Sequence, residues 1–303
     1  MSSIETLLTA FSDAYSWLKW EDIKAFANSN FTTALLGSMA GAYFGAHAAQ
    51  TIAERSKARD ELLKEIRATN AAIMQSFGIC NTLLAFKGQH AKRLKDDFDA
   101  NLGRVQEHER QLRAGELPPD ARLKLVFDLM FLQPLDLPAD TLQKHASEKI
   151  TLNGRPSSLV AAVATACNSL RFSTEQRNQI LAGYRQTNAE ADPDFANRYL
   201  GLEITPRRVD RVYADTLKAI YDQTDDGIFF SHLLCSDLAV HGESLLVMYR
   251  KKGGTDAPNI NKVDFEIAHT RGLMPNADNY PDWTTAFPQK KELDRASTAN
   301  LAS

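Results

Sequence analysis

The sequence predicts a mainly α-helical protein: an N-terminal transmembrane helix that continues into a long helical stalk, then an irregular helical bundle. Three observations carry this expectation. Residues 31–53, FTTALLGSMAGAYFGAHAAQTIA, contain no Asp, Glu, Lys or Arg, and one bilayer crossing needs roughly 20 apolar residues. Beyond them apolar residues recur at spacings of three, four and seven, and no proline occurs between residues 32 and 117, which favours one or two long helices. After residue 139 the chain is punctuated like a series of helices, and a single segment alternates in the manner of a strand.

Residues 1–30 carry Ile4, Leu7, Leu8, Phe11 and Leu18 at helical spacing, with Ser3 as a cap, so an amphipathic, interfacial helix is expected there. Trp17 and Trp20 lie a turn apart beside the proposed span, and tryptophan favours the headgroup level of a bilayer. Within residues 31–53, Gly37, Gly41 and Gly45 repeat every four residues and Ala49 continues the row. That spacing places small residues on one helix face, where a second helix can approach backbone to backbone. These four are the expected helix–helix contact.

The span is not rich in Leu, Ile or Val. Its bulky apolar residues are Phe31, Leu35, Leu36, Met39, Tyr43, Phe44 and Ile52, and His47 and Gln50 sit near its end. A buried small-residue helix in a soluble bundle is therefore the competing reading. A cleaved signal peptide fits less well, because the acidic stretch before the apolar run is not a short basic n-region. The flanks favour the membrane. Arg55, Lys57, Arg59, Lys64 and Arg67 follow the run, whereas only Lys19 and Lys24 precede it closely. By the positive-inside rule the C-terminal side is cytoplasmic, with Arg55, Lys57 and Arg59 at the membrane interface.

Residues 54–113 are expected as the stalk. Gly78, Gly88 and Gly103 are candidate bends, Lys87-Gly88-Gln89 is a possible hairpin turn, and the basic cluster Lys87, His90, Lys92, Arg93 and Lys95 reads as a solvated helix face. Residues 114–288 are expected as a helical cytoplasmic domain. Gly115, Pro118, Pro119, Pro134 and Pro138 interrupt its start, and residues 123–132, LKLVFDLMFL, fit a strand or a buried helix. An amphipathic helix follows over 139–150, a turn at Asn153-Gly154 and a helix over 157–171. Ser173 with Gln176 has the form of a capping box opening a helix over 174–188. Asp192-Pro193 marks a loop, and Thr205-Pro206 has the form of a cap with a first-turn proline, opening a helix to Tyr221. Thr224 or Asp225 is expected to cap the last long helix, which ends near Lys251. The remainder reads as an extended wrap, with residues 289–303 as a disordered tail.

The residue inventory argues against chemistry. The net charge of −3 makes no case for nucleic acid. Three widely spaced cysteines, Cys80, Cys167 and Cys235, suit a reducing compartment. His232, Cys235, Asp237, His241 and Glu243 form the best ligand-like constellation, but its two pairs do not share one helix face. The run at 222–227 lacks the alternating ligands of a calcium loop, with Leu233 where the last glutamate belongs. Arg207, Arg208 and Arg211 are expected to pair with Asp210, Asp215 or Asp222. No GxSxG, Walker, GxGxxG or HExxH motif occurs. The expectation is a protein without catalytic activity, cofactor or metal.

Three stretches, residues 33–73, 220–238 (IYDQTDDGIFFSHLLCSDL) and 272–280 (GLMPNADNY), resemble an uncharacterised group of bacterial membrane proteins with one N-terminal span and a helical cytoplasmic domain. The resemblance implies a bacterial inner-membrane, single-pass protein and supplies no catalytic residues. The function expected is that of a self-associating membrane protein, a homo-oligomer, whose cytoplasmic domain binds a protein partner or scaffolds. The rival expectations are a pore-forming effector, such as a toxin or phage-defence protein, and a soluble helical protein.

Overall fold

The protein is mainly helical. The structure, a computed structural model, describes residues 30–189, 192–285 and 287. Two compact units are present, Met1–Glu61 and Leu62–Ser303. Helix α1, Asn30–Phe86, begins in the first unit and ends in the second. A π-helical turn, Lys87–Ala91, follows it, and then α2, Lys92–Arg113. The chain therefore makes no hairpin at Lys87-Gly88-Gln89. One extra residue is accommodated within the helix instead, the usual form of a π-bulge.

The second unit contains α3 (Ala139–Lys149), α4 (Arg155–Gln186) and α5 (Phe195–Leu200), then a two-stranded hairpin, β1 (Glu203–Thr205) and β2 (Arg208–Val209). After it come α6 (Val212–Lys251), α7 (Glu266–Thr270), a 3-10 turn at Ala277–Asn279 and α8 (Pro281–Thr285). Three expected helix starts are absent. Ser173 and Thr174 are buried inside α4, and Thr224 and Asp225 lie inside α6. Thr174 Oγ1 donates to Leu170 O and Thr224 Oγ1 to Ile220 O. A hydroxyl that bonds the carbonyl four residues back is satisfied within a helix and need not cap one. Thr205-Pro206 turns the antiparallel hairpin, in which Thr205 pairs with Arg208. Arg207 there has φ +75°, and its N–H donates to Glu203 Oε1.

The core of this unit is built around α6. Tyr213, Ile220, Ile228, Leu234 and Leu238 of α6 are almost fully buried, as are Ile66, Ile73, Ile79 and Leu83 of α1 and Leu159, Leu170 and Leu181 of α4. Burying each such side chain contributes about 1.5–3 kcal/mol. Residues 62–113, read in the sequence as a stalk, thus contribute to the same core as the later helices. The α1–α6 seam is lined with small polar groups. Ser76 Oγ donates to Ser231 O (2.9 Å), Cys80 Sγ to Ile228 O (3.7 Å) and Cys235 Sγ to Ile73 O (3.7 Å). As α1 advances its partner residues on α6 recede, so the two helices run antiparallel. Gly227 completes the seam, since a Cβ there would lie 2.6 Å from Leu83 Cδ1. Burial pushes the thiols of Cys80 and Cys167 up to about 12 and that of Cys235 up to about 11, which leaves all three as protonated packing groups.

Residues 121–137 are neither strand nor helix; they run without a turn or bend. Alternate side chains point inward, and Phe127 packs edge-on against Phe195 and Tyr199. The backbone is held by side chains instead of a neighbouring strand. Asn101 Nδ2 donates to Val126 O (2.7 Å), Arg177 to Asp128 O and Met130 O (3.2 and 2.8 Å), and Arg185 to Leu129 O (2.7 Å). The Asn178 amide accepts from Leu132 N–H (3.0 Å) and donates to Leu132 O (2.6 Å), as a paired strand would. Arg177 is completely buried and faces carbonyls and the Tyr213 ring.

Candidate functional site

Two regions bear on function, one in each unit. In the first unit, Gly37, Gly41, Gly45 and Ala49 lie on α1 and are exposed. Among the described residues, a Cβ at any of the three glycines would meet nothing within 4 Å. Met39, Tyr43, Phe44 and Ile52 on the same stretch are each more than 60% exposed. The polar side chains along it are satisfied locally: Ser38 Oγ donates to Leu35 O, Thr51 Oγ1 to His47 O, and Gln50 Nε2 to Glu54 Oε1. Among the described residues, no helix is long and apolar enough to cross a membrane. The physical reason is composition, since Gly, Ala, Tyr43, His47 and Gln50 dilute the few large aliphatic residues. Arg55 is exposed, and Lys57 approaches Glu61 at 4.0 Å on the surface. Arg59 is half-buried on the same helix. Trp17 and Trp20 lie outside the described residues, as does the expected tail at 289–303.

In the second unit the π-turn places Lys87 in the interior. Its ammonium is 2.6 Å from Asp225 Oδ1, with the lysine side chain 3% and the aspartate 17% exposed. Burial pushes the Asp225 carboxyl above the usual carboxylate range, and the hydrogen bond and charge of Lys87 pull it back. The next residue, Asp226, accepts from Tyr280 Oη at 2.9 Å. It too is raised by burial, and Tyr280 is pushed up by burial and by that carboxylate. The Tyr280 ring stacks on Phe229 with 3.9 Å between centroids, and Trp283 packs on Phe230. The 222–227 stretch is thus a mid-helix anchor in α6. It holds the π-turn on one side and the 3-10 turn and α8 on the other. A second lock, Arg155 bidentate to Asp237 at 2.6 and 2.8 Å, ties the start of α4 to α6 and reaches Trp283 O. Beside the π-turn, Phe77, Asn81, Lys92, Phe265 and Arg271 line an open groove of about 690 Å³.

The ligand-like constellation on α6 is dispersed. Cys235 lies in the α1 seam, Asp237 is bound by Arg155, and Glu243 pairs with Lys262 at 3.6 Å. His241 sits 3.4 Å from Glu65 Oε1, which also accepts from Thr151 N–H. His232 packs edge-on against Phe265, with His269 beyond. Burial, then the His269 charge, holds His232 below its ordinary value. Among the described residues no group of His, Cys, Asp and Glu could hold a metal ion. The basic cluster divides in two: Lys92, Arg93 and Lys95 pair along the surface with Asp96, Asp97 and Asp99, and Lys87 alone turns inward. Arg211 pairs with Asp215 at 3.5 Å, whereas Asp222 is taken by Lys218.

Sequence reasoning placed Lys87 on a solvated face, where the structure buries it, and missed Arg177. The signal for both is a cation within an apolar stripe. Leu84, Lys87, Ala91 and Leu94 follow spacings of three, four and three, and Leu170, Thr174, Arg177 and Leu181 follow four, three and four. No protein-family model, curated protein or solved structure matches this chain.

Proposed function

We propose that the protein is a self-associating, single-span membrane protein whose helical cytoplasmic unit binds a protein partner or scaffolds, without catalysis. The observation that carries this reading is the exposure of residues 37–50. An uncharged stretch of α1 presents Gly37, Gly41, Gly45 and Ala49 exposed on one face, and among the described residues a Cβ at the three glycines would meet nothing within 4 Å. The same stretch exposes Met39, Tyr43, Phe44 and Ile52. Such a surface is costly in water and calls for a cover.

Association also accounts for the modest apolarity of the stretch. Residues 31–53 as a helix extend about 35 Å, close to the roughly 30 Å of bilayer hydrocarbon. A lone copy would present its glycine backbone and Ser38 to lipid. Copies packed through the glycine face turn those groups inward and leave Leu35, Met39 and Tyr43 outward. In this reading the membrane-embedded form is the assembled one, and Arg55, Lys57 and Arg59 mark its cytoplasmic end.

The test is alkaline carbonate extraction of membranes from cells expressing the full chain, with chemical cross-linking of the same membranes. The full chain should stay in the pellet and cross-link as an oligomer. Gly41→Leu, which blocks close helix approach, should abolish the cross-links. A chain that washes off with carbonate, or an oligomer unchanged by Gly41→Leu, refutes the reading.

A further inference from the structure

In an extended chain the N–H and C=O of one residue point to the same edge, and successive residues alternate between edges. In residues 123–132 the carbonyls of the even-numbered edge are occupied from Val126 onward. Val126 O, Asp128 O, Met130 O and both backbone groups of Leu132 are bonded to Asn101, Arg177 and Asn178. The odd-numbered edge is open over its first part. Among the described residues, no backbone group of Leu125 or Phe127 has a hydrogen-bond partner, and Arg185 takes Leu129 O farther on. Unpaired backbone groups persist only where water or another chain can satisfy them. The edge is therefore unsaturated, a condition under which strands add to one another.

The side chains select the occupant. Lys124, Val126 and Met130 face outward, with Val126 68% and Met130 71% exposed, whereas Leu125, Phe127 and Leu129 are held against the core. A second copy of the same edge, run antiparallel about Val126, puts Leu125 opposite Phe127 and Phe127 opposite Leu125. Those are the residues whose free N–H and C=O point across the edge. The intervening pairs set Val126 against Val126 and Lys124 against Asp128, twice; Asp128 is half-buried and its Oδ1 accepts from Met130 N–H at 2.9 Å, so Oδ2 is the oxygen that meets the lysine. An edge lysine ordinarily discourages indiscriminate pairing. In this register it meets a carboxylate each time, and like charges would oppose nowhere. We propose that residues 123–129 form a self-complementary strand edge through which two copies of this chain pair antiparallel, centred on Val126. This surface is separate from Gly37, Gly41 and Gly45 and does not rest on them.

The experiment uses the full chain carrying Val126→Cys or, as control, Lys124→Cys, oxidised and run on a non-reducing gel. The native cysteines are buried, so the introduced thiols report. Val126→Cys sits opposite itself, whereas Lys124→Cys lies four residues from its own copy, about 13 Å along the strand. The first should cross-link about tenfold faster or more. Adding Lys124→Asp or Asp128→Lys to Val126→Cys chains should each suppress the cross-link, and mixing the two variant chains should restore it, because the mixed pair matches every charge. Equal rates at 126 and 124 overturn the proposal. So does a mixture no better than either variant alone, which would mark a local folding effect, or a Val126→Cys adduct to a different protein.

Discussion

Asn178→Ala tests whether side chains truly substitute for a strand partner along residues 123–132. The substitution removes both bonds to Leu132, the 3.0 Å bond from its N–H and the 2.6 Å bond to its carbonyl. Leu132 is 7% exposed, so water reaches these groups poorly. An unsatisfied buried backbone group costs about 1–3 kcal/mol, and partial access of water favours the lower part, giving about 2–4 kcal/mol for the two. Against a total stability of about 5–15 kcal/mol this is a large loss, roughly 5–15 °C in the melting midpoint. Arg185→Ala is the matched control. It removes a 2.7 Å bond to Leu129 O from the same segment, and a stacking contact on Phe131, but at an exposed site that water can refill. It should cost less than about 1 kcal/mol. Thermal melts of both variants give the ranking, and hydrogen exchange should show faster exchange at residues 123–132 in Asn178→Ala. If the two variants melt together, or Asn178→Ala melts with the parent, the side-chain clamp is not what holds this segment.

Three other perturbations probe the remaining anchors. Lys87→Met strands Asp225 in the interior and should cost about 3–5 kcal/mol; adding Asp225→Leu should recover most of it, as chemical denaturation of the single and double variants would reveal. Gly227→Ala drives a methyl to 2.6 Å from Leu83 Cδ1 and should cost about 1–3 kcal/mol, partly returned by Leu83→Ala in the same melt series. His232 has a folded value lowered below 6.5, first by burial and then by His269; its contribution is therefore present above that pH and is lost as pH falls through the folded value. Asp225 and Asp226, raised by burial, act in the opposite sense, so the difference in stability between parent and His232→Leu across pH 7 to 5 isolates the histidine. A difference that does not narrow on acidification contradicts the assignment.

The helical class was legible because three- and four-residue spacing persists through most of the chain, and the absence of proline before residue 118 leaves α1, the π-turn and α2 uninterrupted. Helix ends were much less legible. Ser173-Thr174 and Thr224-Asp225 carry the residue types of caps, yet both lie in mid-helix. The same hydroxyls can bond a carbonyl one turn back, and packing against α1 and α4 outweighs a local cap worth about 1 kcal/mol. Residues 123–132 were undecidable between strand and helix for a definite reason. Alternation reports which side chains face the core, and says nothing of what satisfies the backbone. Here Asn101, Arg177 and Asn178, distant in sequence, supply that.

The small-residue rows hold the same lesson about local and tertiary information. Gly37, Gly41 and Gly45 are conspicuous because they are glycines in an uncharged run, and they meet nothing among the described residues of their own unit. Gly227, Ser231 and Cys235 have the same four-residue spacing, and they meet α1 at Leu83, Ser76 and Ile73. What hides this second row is its mixed chemistry, a glycine, a hydroxyl and a thiol, which reads as unrelated residues until α1 is laid antiparallel against it. A small residue every fourth position therefore predicts that a helix surface can be approached closely, and leaves the identity of the approaching helix to tertiary structure. For α6 that helix is α1 of the same chain. For residues 37–49 no helix of the same unit fills the role among the described residues, and a second copy is the occupant proposed for it.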